Sequence, residues 1–221
     1  MREHRLTVAR TARVQVLGDP EQAREVWIVI HGFGQLASEF LAPFKVVATP
    51  ERAIVAPEAL NRFYKEKAGA TRSADRPVGA TWMTREDRDA EIADYVSYLD
   101  TVAARFAGGR ALTALGFSQG VATLMRWVAL GGSPMARVIA WAGEIPGDVD
   151  LAAHRARFPA AGVDLVLGTS DEYRAWIDAE AMHGRLVAAG LPYRVHAFEG
   201  GHRLDRATLV ALAGGAGSGG A

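Results

Sequence analysis

Apolar runs alternate with segments of helical spacing along most of the chain. Residues 26–30 are apolar at every position, which is typical of a central parallel strand that helices cover on both faces. Residues 53–56 form a second short apolar run that stops at Pro57. Residues 6–17 alternate roughly between apolar and polar side chains, which predicts a pair of half-exposed edge strands. Four further strands are predicted at residues 111–115, 137–142, 163–167 and 193–198.

Helical spacing between these strands predicts the helices. The clearest helix has its apolar face between residues 92 and 106, with Thr84 and Asp87 as a capping-box-like pair before it and two glycines after it. Residues 57–81 show no clear period and are expected to form a long surface excursion, a kind of segment that is often functional. The other predicted helices cover residues 38–48, residues 121–130, a segment around Trp176, Ile177 and Leu186, and residues 204–212.

This alternation of strand and helix favours an α/β fold with a mostly parallel central sheet and helices on both faces. A chain of 221 residues is near the upper end of what one core fills, so residues 1–213 are expected to form a single domain. Residues 214–221 are Gly-rich and are expected to be a flexible tail. In sheets of this kind ligands bind outside the carboxyl ends of the strands, so candidate site residues should directly follow strands.

Composition and charge exclude several classes of function. Lys plus Arg and Asp plus Glu both number 25, so no net field attracts the chain to nucleic acid or anionic lipid. Because the chain has no Cys, disulfides, thiolate metal sites and a Cys nucleophile are excluded. Residues 1–13 lack the apolar core of a signal peptide, and no apolar run approaches the roughly 20 residues that span a bilayer. We therefore expect a cytoplasmic protein without stable membrane insertion.

Residues 116–120 read Gly-Phe-Ser-Gln-Gly and match the G-x-S-x-G nucleophile elbow. In this motif the serine occupies a cramped turn between a strand and a helix, where flanking glycines remove side-chain clashes. An apolar strand precedes Ser118 and an apolar helical segment follows it, as the motif requires. The alternative is a tight turn without a catalytic role. The choice between the two depends on whether residues later in the chain can act as partners of Ser118.

Asp171 and His202 are the predicted partners of Ser118. Asp171 follows the strand predicted at residues 163–167, and His202 follows the strand predicted at residues 193–198. The chain order of serine, aspartate and histidine is the order expected of α/β-hydrolases. These residues would serve as nucleophile, orienting acid and base.

Other residues compete for the acidic role. Asp171 could instead cap the helix that follows it, as could Ser170. Glu172 and Asp164 are rival carboxylates, although Asp164 lies within a predicted strand.

The remaining histidines are less suitable as a base. They are predicted to lie outside strand ends, in a helix or in a strand, at His4, His154, His183 and His196. The histidines show no metal-binding spacing, so no metal site is predicted. The expected reaction needs no cofactor.

Two backbone N–H groups are candidates for an oxyanion hole. Residues 31–34 read His-Gly-Phe-Gly and follow the first buried strand, where the loop that supplies one oxyanion donor is expected. Phe33 is the predicted donor there, and Gln119 supplies the second. The alternative for residues 31–34 is a glycine turn at the end of the strand that has no catalytic role.

Together these segments resemble the phospholipase/carboxylesterase family, whose relatives include the acyl-protein thioesterases. The resemblance rests on His-Gly-Phe-Gly, Gly-Phe-Ser-Gln-Gly, Gly-Thr-Ser-Asp at residues 168–171 and Gly-His at residues 201–202, and it covers about residues 26–212. It implies the α/β-hydrolase fold without a separate lid domain. It also implies the roles given above to the triad Ser118, Asp171 and His202 and to the oxyanion donors Phe33 and Gln119. It also implies activity on short-chain esters, with lysophospholipids or thioesters as alternatives.

The chain departs from the family pattern in two places. Val121 stands where the family often has glycine, and residues 82–84 match the family's segment only at Trp82. Trp82 either forms a wall of the acyl pocket or packs in the core. Phe63 and Tyr64 are either rim residues of the pocket or loop anchors.

The sequence therefore predicts a serine carboxylesterase that acts on a small-molecule ester through an acyl-enzyme. A non-catalytic hydrolase-like scaffold is the alternative from another class, because a fold alone does not guarantee chemistry. The sequence leaves the oligomeric state open.

Overall fold

The computed structural model describes residues 1–65, 76–173 and 178–215. Nine strands are present in these ranges, and five α-helices lie between or after them. The strands are β1 Val14–Leu17, β2 Glu25–Ile30, β3 Arg52–Pro57, β4 Asn61–Tyr64, β5 Val78–Thr81, β6 Ala111–Phe117, β7 Arg137–Trp141, β8 Val163–Gly168 and β9 Tyr193–Phe198. The α-helices are α1 Ala37–Leu41, α2 Arg88–Phe106, α3 Gln119–Leu130, α4 Ala179–Ala188 and α5 Arg206–Gly214.

A seven-stranded sheet forms the centre of the molecule, in the order β1-β3-β2-β6-β7-β8-β9. Only β1 runs antiparallel to its neighbour β3, and the other neighbours in this sheet are parallel. The predicted α/β architecture with a mostly parallel sheet is confirmed. Because β2, β6, β7, β8 and β9 are parallel, the segments that follow them meet at one edge of the sheet.

Hydrophobic side chains pack against both faces of the sheet. On one face, Val26, Ile28 and Ile30 of β2 join the core formed with α2, α3 and α4. On the other face, Trp27 and Val29 pack with α1 and α5. Successive side chains of a strand point to opposite faces, so a strand covered on both sides must be apolar throughout.

The predicted pair of edge strands at residues 6–17 is wrong over most of its length. Only β1 at the end of this segment forms a strand, and residues 1–13 have no regular secondary structure. Leu6 and Val8 are 85% and 77% exposed. An alternating pattern forms a strand only where its apolar side chains find a surface to bury, and these two find none.

The predicted excursion at residues 57–81 contains regular structure. The strands β4 and β5 pair antiparallel, with Phe63 opposite Gly79. Each strand has four residues, which is too short for a period to be recognised in the sequence. Residues 66–75 of this segment lie outside the described residues.

Two predicted helix boundaries are also wrong. The capping box at Thr84 does not form, because α2 begins at Arg88 with Asp87 as its N-cap residue. The predicted helix at residues 38–48 divides into α1 and a 3-10 helix at Ala42–Val46. Pro43 lacks the N–H that a continuing α-helix would require.

The last part of the chain follows the prediction with shifted boundaries. Helix α4 begins after its N-cap Asp178, whose side chain accepts a hydrogen bond from the N–H of Ala181, and Trp176 and Ile177 lie outside the described residues. Helix α5 extends to Gly214, one residue into the predicted tail, of which residues 216–221 also lie outside the described part. None of the helices described is long and apolar enough to cross a bilayer.

Candidate active site

Ser118 lies at the turn between β6 and α3 in a rare backbone conformation. Its φ is 54° and its ψ is −121°, outside the regions that L-residues commonly adopt. Its N–H donates a hydrogen bond of 2.9 Å to the carbonyl of Trp141, the last residue of β7. Such conformations cost free energy and are concentrated at functional sites. The observed backbone is that expected of a nucleophile elbow.

The glycines on either side of Ser118 are required by close backbone contacts. A Cβ at Gly116 would lie 2.3 Å from the carbonyl oxygen of Gly120. A Cβ at Gly120 would lie 2.3 Å from the carbonyl oxygen of Ile30. A larger residue at either position would therefore move α3, away from β6 or away from β2, and Ser118 would move with it.

Asp171 and His202 are joined by a hydrogen bond, as their predicted roles require. The Nδ1 atom of His202 lies 2.9 Å from one oxygen of Asp171 and 3.2 Å from the other. The Asp171 side chain is only 2% exposed, and it also accepts a hydrogen bond from the N–H of Tyr173. With the proton on Nδ1, His202 donates to Asp171 and its Nε2 is left as an acceptor.

The two rival carboxylates have other partners. Asp164 is buried within β8 and forms ion pairs with Arg137 at 2.6 Å and Arg194 at 2.9 Å. Glu172 accepts a hydrogen bond from the backbone N–H of His202, not from its ring. Of these three carboxylates, Asp171 is the one that contacts the His202 imidazole.

A cavity of about 590 Å³ opens over the elbow. Ser118, His202, Phe33 and Gln119 all line it. Further lining residues are Gln35, Phe117, Gly143, Glu144, Pro146 and Tyr173. No hydrogen bond joins the Ser118 hydroxyl to another described residue, His202 included. In unliganded enzymes the hydrogen bond between nucleophile and base often forms only when substrate binds.

Aromatic rings on two sides hold the His202 imidazole. The ring centroids of Phe117 and Tyr173 lie 4.9 Å and 4.6 Å from that of His202. These contacts limit the movement of the imidazole within the cavity that Ser118 also lines.

The N–H groups of Phe33 and Gln119 are available to a ligand in the cavity. Gln119 is the first residue of α3, where N–H groups have no partner within the helix. Among the described residues, neither N–H donates a hydrogen bond, whereas the neighbouring N–H groups of Gly32 and Gly34 do. The positive end of the α3 dipole also favours negative charge at this point.

His31 anchors the loop that carries Phe33, a role that the sequence analysis did not assign. Its Nε2 accepts a hydrogen bond of 3.0 Å from the N–H of Ala59, and its Nδ1 lies 2.8 Å from the carbonyl of Gly32. An accepting Nε2 requires the neutral ring with its proton on Nδ1. Burial lowers the pKa of His31, against weaker opposing effects of Gly32 and Glu58, and so favours this neutral form.

Trp82 lies beneath this loop and is not among the residues that line the cavity. It is 2% exposed, its Nε1–H donates to the carbonyl of His31 at 2.8 Å, and its ring packs against His31 and Tyr95. These contacts correspond to the packing alternative of the sequence analysis. Phe63 stacks on Phe33 at 5.1 Å, while Tyr64 is 53% exposed.

Two glutamine side chains fix the backbone at or next to the candidate oxyanion donors Phe33 and Gln119. The Gln119 amide donates to Thr81 and to the carbonyl of Met83, at 2.9 Å and 3.1 Å. The Gln35 carbonyl accepts from the N–H of Gly32 at 2.8 Å. Neither contact was predicted. The Gln119 contacts depend on residues 81–83, which only the fold brings next to α3, whereas the Gln35–Gly32 contact spans three residues within the loop after β2.

The loop after β7, residues 142–149, forms one wall of the cavity. Arg185 of α4 donates hydrogen bonds to the carbonyls of Ile145, Pro146 and Val149, at 2.7, 3.0 and 2.8 Å. This places Glu144 and Pro146 at the cavity, as the position of the loop after a parallel strand could have indicated.

A second contact holds the same loop to the helix that follows Ser118. Arg126 of α3 binds both carboxylate oxygens of Asp148, at 2.9 Å and 2.8 Å. These hydrogen bonds hold the pKa of Asp148 well below its usual range. The described residues contain no cluster of three or more His, Asp or Glu side chains that could hold a metal ion.

Comparison with solved structures identifies the fold as that of the α/β-hydrolases. Esterase PE8 superposes with a TM-score of 0.72 at 21% identity, covering 94% of this chain and 98% of that one. Acyl-protein thioesterase 2 of Zea mays gives a TM-score of 0.70 at 14% identity, covering 93% and 98%. A carboxylesterase of Mesorhizobium loti gives 0.63 at 17% identity, covering 94% and 95%. No protein-family model matches the chain, and comparison with curated proteins also finds no match.

Proposed function

We propose that this protein is a serine carboxylesterase that hydrolyses short-chain carboxylic esters through an acyl-enzyme. The observation that carries the proposal is the Asp171–His202 hydrogen bond beside a cavity that Ser118 lines from a strained turn. In this assignment Ser118 is the nucleophile, His202 the base and Asp171 the residue that orients the base. The N–H groups of Phe33 and Gln119 form the oxyanion hole.

Acylation begins when the Ser118 oxygen attacks the ester carbonyl carbon. His202 Nε2 takes the hydroxyl proton as the new carbon–oxygen bond forms, and the carbonyl electron pair moves onto the oxygen. The two N–H groups stabilise this oxyanion, and each donor of this kind accounts for about a hundred- to a thousand-fold in rate. When the intermediate collapses, the leaving alcohol takes the proton from His202.

Deacylation repeats the same steps with water as the nucleophile. His202 takes a proton from water, the resulting oxyanion occupies the same hole, and the carboxylic acid leaves as Ser118 regains its proton. Asp171 stabilises the imidazolium that forms in both halves, but it does not accept the proton. Apart from the ester and water, both halves use only groups of this chain.

The structural neighbours support hydrolysis of an acyl bond as the reaction. Two of them are described as an esterase and a carboxylesterase. The thioesterase neighbour favours thioesters as a second candidate substrate class, because the same acyl-enzyme can form from a thioester. A cavity of about 590 Å³ has room for a short acyl chain and its leaving group.

The proposal is tested by labelling with a fluorophosphonate and by turnover of nitrophenyl esters. We expect covalent labelling of the wild type at Ser118 and none of Ser118→Ala. Both Ser118→Ala and His202→Ala should lower kcat by about four orders of magnitude while the unfolding transition is retained. Ser97→Ala and His4→Ala, which change exposed residues of the same types, serve as controls.

Two outcomes would contradict the assignment. Near-normal ester turnover by folded Ser118→Ala would place the nucleophile elsewhere, and an unlabelled wild type without turnover would favour a non-catalytic scaffold. A series of acyl chain lengths, presented as oxygen esters and as thioesters, then separates the two substrate classes by kcat/KM.

A further inference from the structure

Glu144 brings a negative charge to the cavity that the reaction described above does not use. It is the one carboxylate among the described residues that line the cavity, which include no Lys or Arg. Its side chain is exposed, and no described Lys or Arg forms an ion pair with it. The field of this carboxylate is therefore not cancelled by a fixed partner within the described ranges.

The backbone around Glu144 is held rigidly next to the nucleophile. The preceding residue, Gly143, approaches the elbow so closely that a Cβ there would lie 2.4 Å from the carbonyl oxygen of Ser118. The residues after Glu144 are fixed by the three hydrogen bonds from Arg185 and by the Arg126–Asp148 pair. The backbone of Glu144 therefore keeps its position when substrate enters, and its carboxylate stays within reach of the cavity.

A carboxylate beside this site affects neutral and charged esters differently. The reaction develops negative charge on the substrate carbonyl oxygen, so Glu144 opposes the reaction of neutral esters slightly and that of anionic esters more strongly. A positive charge on the ester reverses the sign of this interaction. Glu144 therefore discriminates among esters by their charge.

Aromatic surface in the same cavity also suits a positive group. Phe33 and Tyr173 line the cavity and are 62% and 43% exposed. Ammonium groups are attracted to the faces of aromatic rings, and alkylated ammonium groups also gain from burying their apolar surface there. Carboxylate and aromatic rings together make a site for an alkylated ammonium group.

We propose, on the basis of the proposed esterase function, that the preferred substrates are esters carrying an ammonium group and that Glu144 determines this preference. The ammonium group lies in the alcohol part or in the acyl part of the ester. Glu144 acts on binding and on the charged transition state, and it takes no part in bond making.

The test uses two pairs of matched esters. One pair is a choline ester and its neutral isostere, in which a tert-butyl group replaces trimethylammonium. The other pair places the same two groups at the end of the acyl chain of a nitrophenyl ester. In at least one pair, we expect the wild type to favour the cationic ester in kcat/KM by roughly three- to ten-fold at low salt. Added salt should reduce this preference.

Variants distinguish the effect of the Glu144 charge at the cavity from the effect of the net charge of the protein. Glu144→Gln keeps the shape of the side chain and should abolish the cation preference while slightly raising turnover of the neutral ester. Glu144→Lys should favour a sulfonate-bearing ester over the cationic one. Glu39→Gln makes the same change of net charge on the exposed face of α1, away from the cavity lining, and should leave the preference unchanged.

The outcomes distinguish this inference from the function on which it rests. If the wild type hydrolyses neutral esters well but prefers no cationic ester, or if the preference survives in Glu144→Gln, the role of Glu144 is refuted and the esterase assignment stands. If no ester is hydrolysed and Ser118 is not labelled, both proposals fail.

Discussion

Ser118 holds a backbone conformation that its own side chain does not favour, and the neighbouring glycines make this possible. The φ of 54° is maintained because β6 and α3 are each anchored by their own packing and leave one residue to make the turn. Gly116 and Gly120 allow the backbone segments to approach without a Cβ between them. At the scale of single residues, this close approach determines the position of Ser118, the proposed nucleophile.

Gly116→Ala should therefore damage both stability and the site. The added Cβ meets only backbone atoms of residues 120 and 121, which cannot rotate away, so we expect the free energy of unfolding to fall by about 1–3 kcal/mol or more. Urea unfolding measures this change. Gly184→Ala, in the exposed middle of α4 with nothing within 4 Å of the new Cβ, should instead stabilise by about 0.5–1 kcal/mol. Equal stability of Gly116→Ala and wild type would contradict the steric argument.

At the scale of elements, the best predicted strands are those whose residue types are determined by burial on both faces. Strand β2 was predicted within one residue because a strand covered on both faces must be apolar throughout. Ser118, Asp171 and His202 could be proposed from the sequence because each follows a predicted strand of the parallel sheet. Short or exposed elements were missed, as in the β4–β5 pair, because their few residues carry no period of their own.

The loop of residues 142–149 shows why the remaining part of the site could not be predicted. Its path is fixed by Arg185, which lies 40 positions beyond Ile145 in the sequence. Nothing in the local sequence indicates that contact. The position of the loop after a parallel strand indicates that it lies near the carboxyl ends of the strands, but its path along the cavity depends on the contact with Arg185. Such contacts between distant elements place the residues that surround a motif.

Arg185→Lys tests whether α4 holds this loop. A lysine keeps the charge but cannot bind three carbonyls with one planar group, so we expect a loss of about 1–3 kcal/mol in the free energy of unfolding. Hydrogen exchange of residues 143–149 should become faster than in the wild type. Arg155→Lys is the matched control, because it removes a guanidinium that donates a hydrogen bond of 3.1 Å to the carbonyl of Gly190, away from this loop. If both variants exchange at the same rate in this loop, Arg185 is not its anchor.

At the scale of the whole molecule, stabilising ion pairs lie at the amino ends of the strands and the candidate site lies at their carboxyl ends. At the amino ends of the strands, Arg52 and Arg137 bind Glu25 and Asp164 and also donate to the last carbonyls of α5. Burial raises the pKa of Asp164, but its hydrogen bonds from His196, Arg137 and Arg194 outweigh that effect and lower it. The carboxyl ends are left to the loops that carry the site.

His31 contributes both to stability and to the candidate site, since it is buried in the core and anchors the loop that carries Phe33. Its pKa is lowered by burial, so between the folded value and the ordinary value near 6.5 the unfolded chain binds a proton that the folded chain does not. The contribution of neutral His31 to stability is therefore fully present above the ordinary value and is lost as the pH falls below it. The slope from this one group is at most about 1.4 kcal/mol per pH unit.

Replacing His31 should therefore flatten the pH dependence of stability on the acid side of neutrality. His31→Gln loses the fit of the ring and should be less stable than wild type at pH about 7.5, yet it should lose less stability on going to about 5.5, because residue 31 no longer titrates. Urea unfolding at both pH values gives the two differences. His4→Gln, at an exposed position, should keep the wild-type slope. An identical slope in His31→Gln and wild type would mean that His31 is not held neutral by the fold, and the anchoring hydrogen bond from Ala59 would then not be maintained as the pH falls.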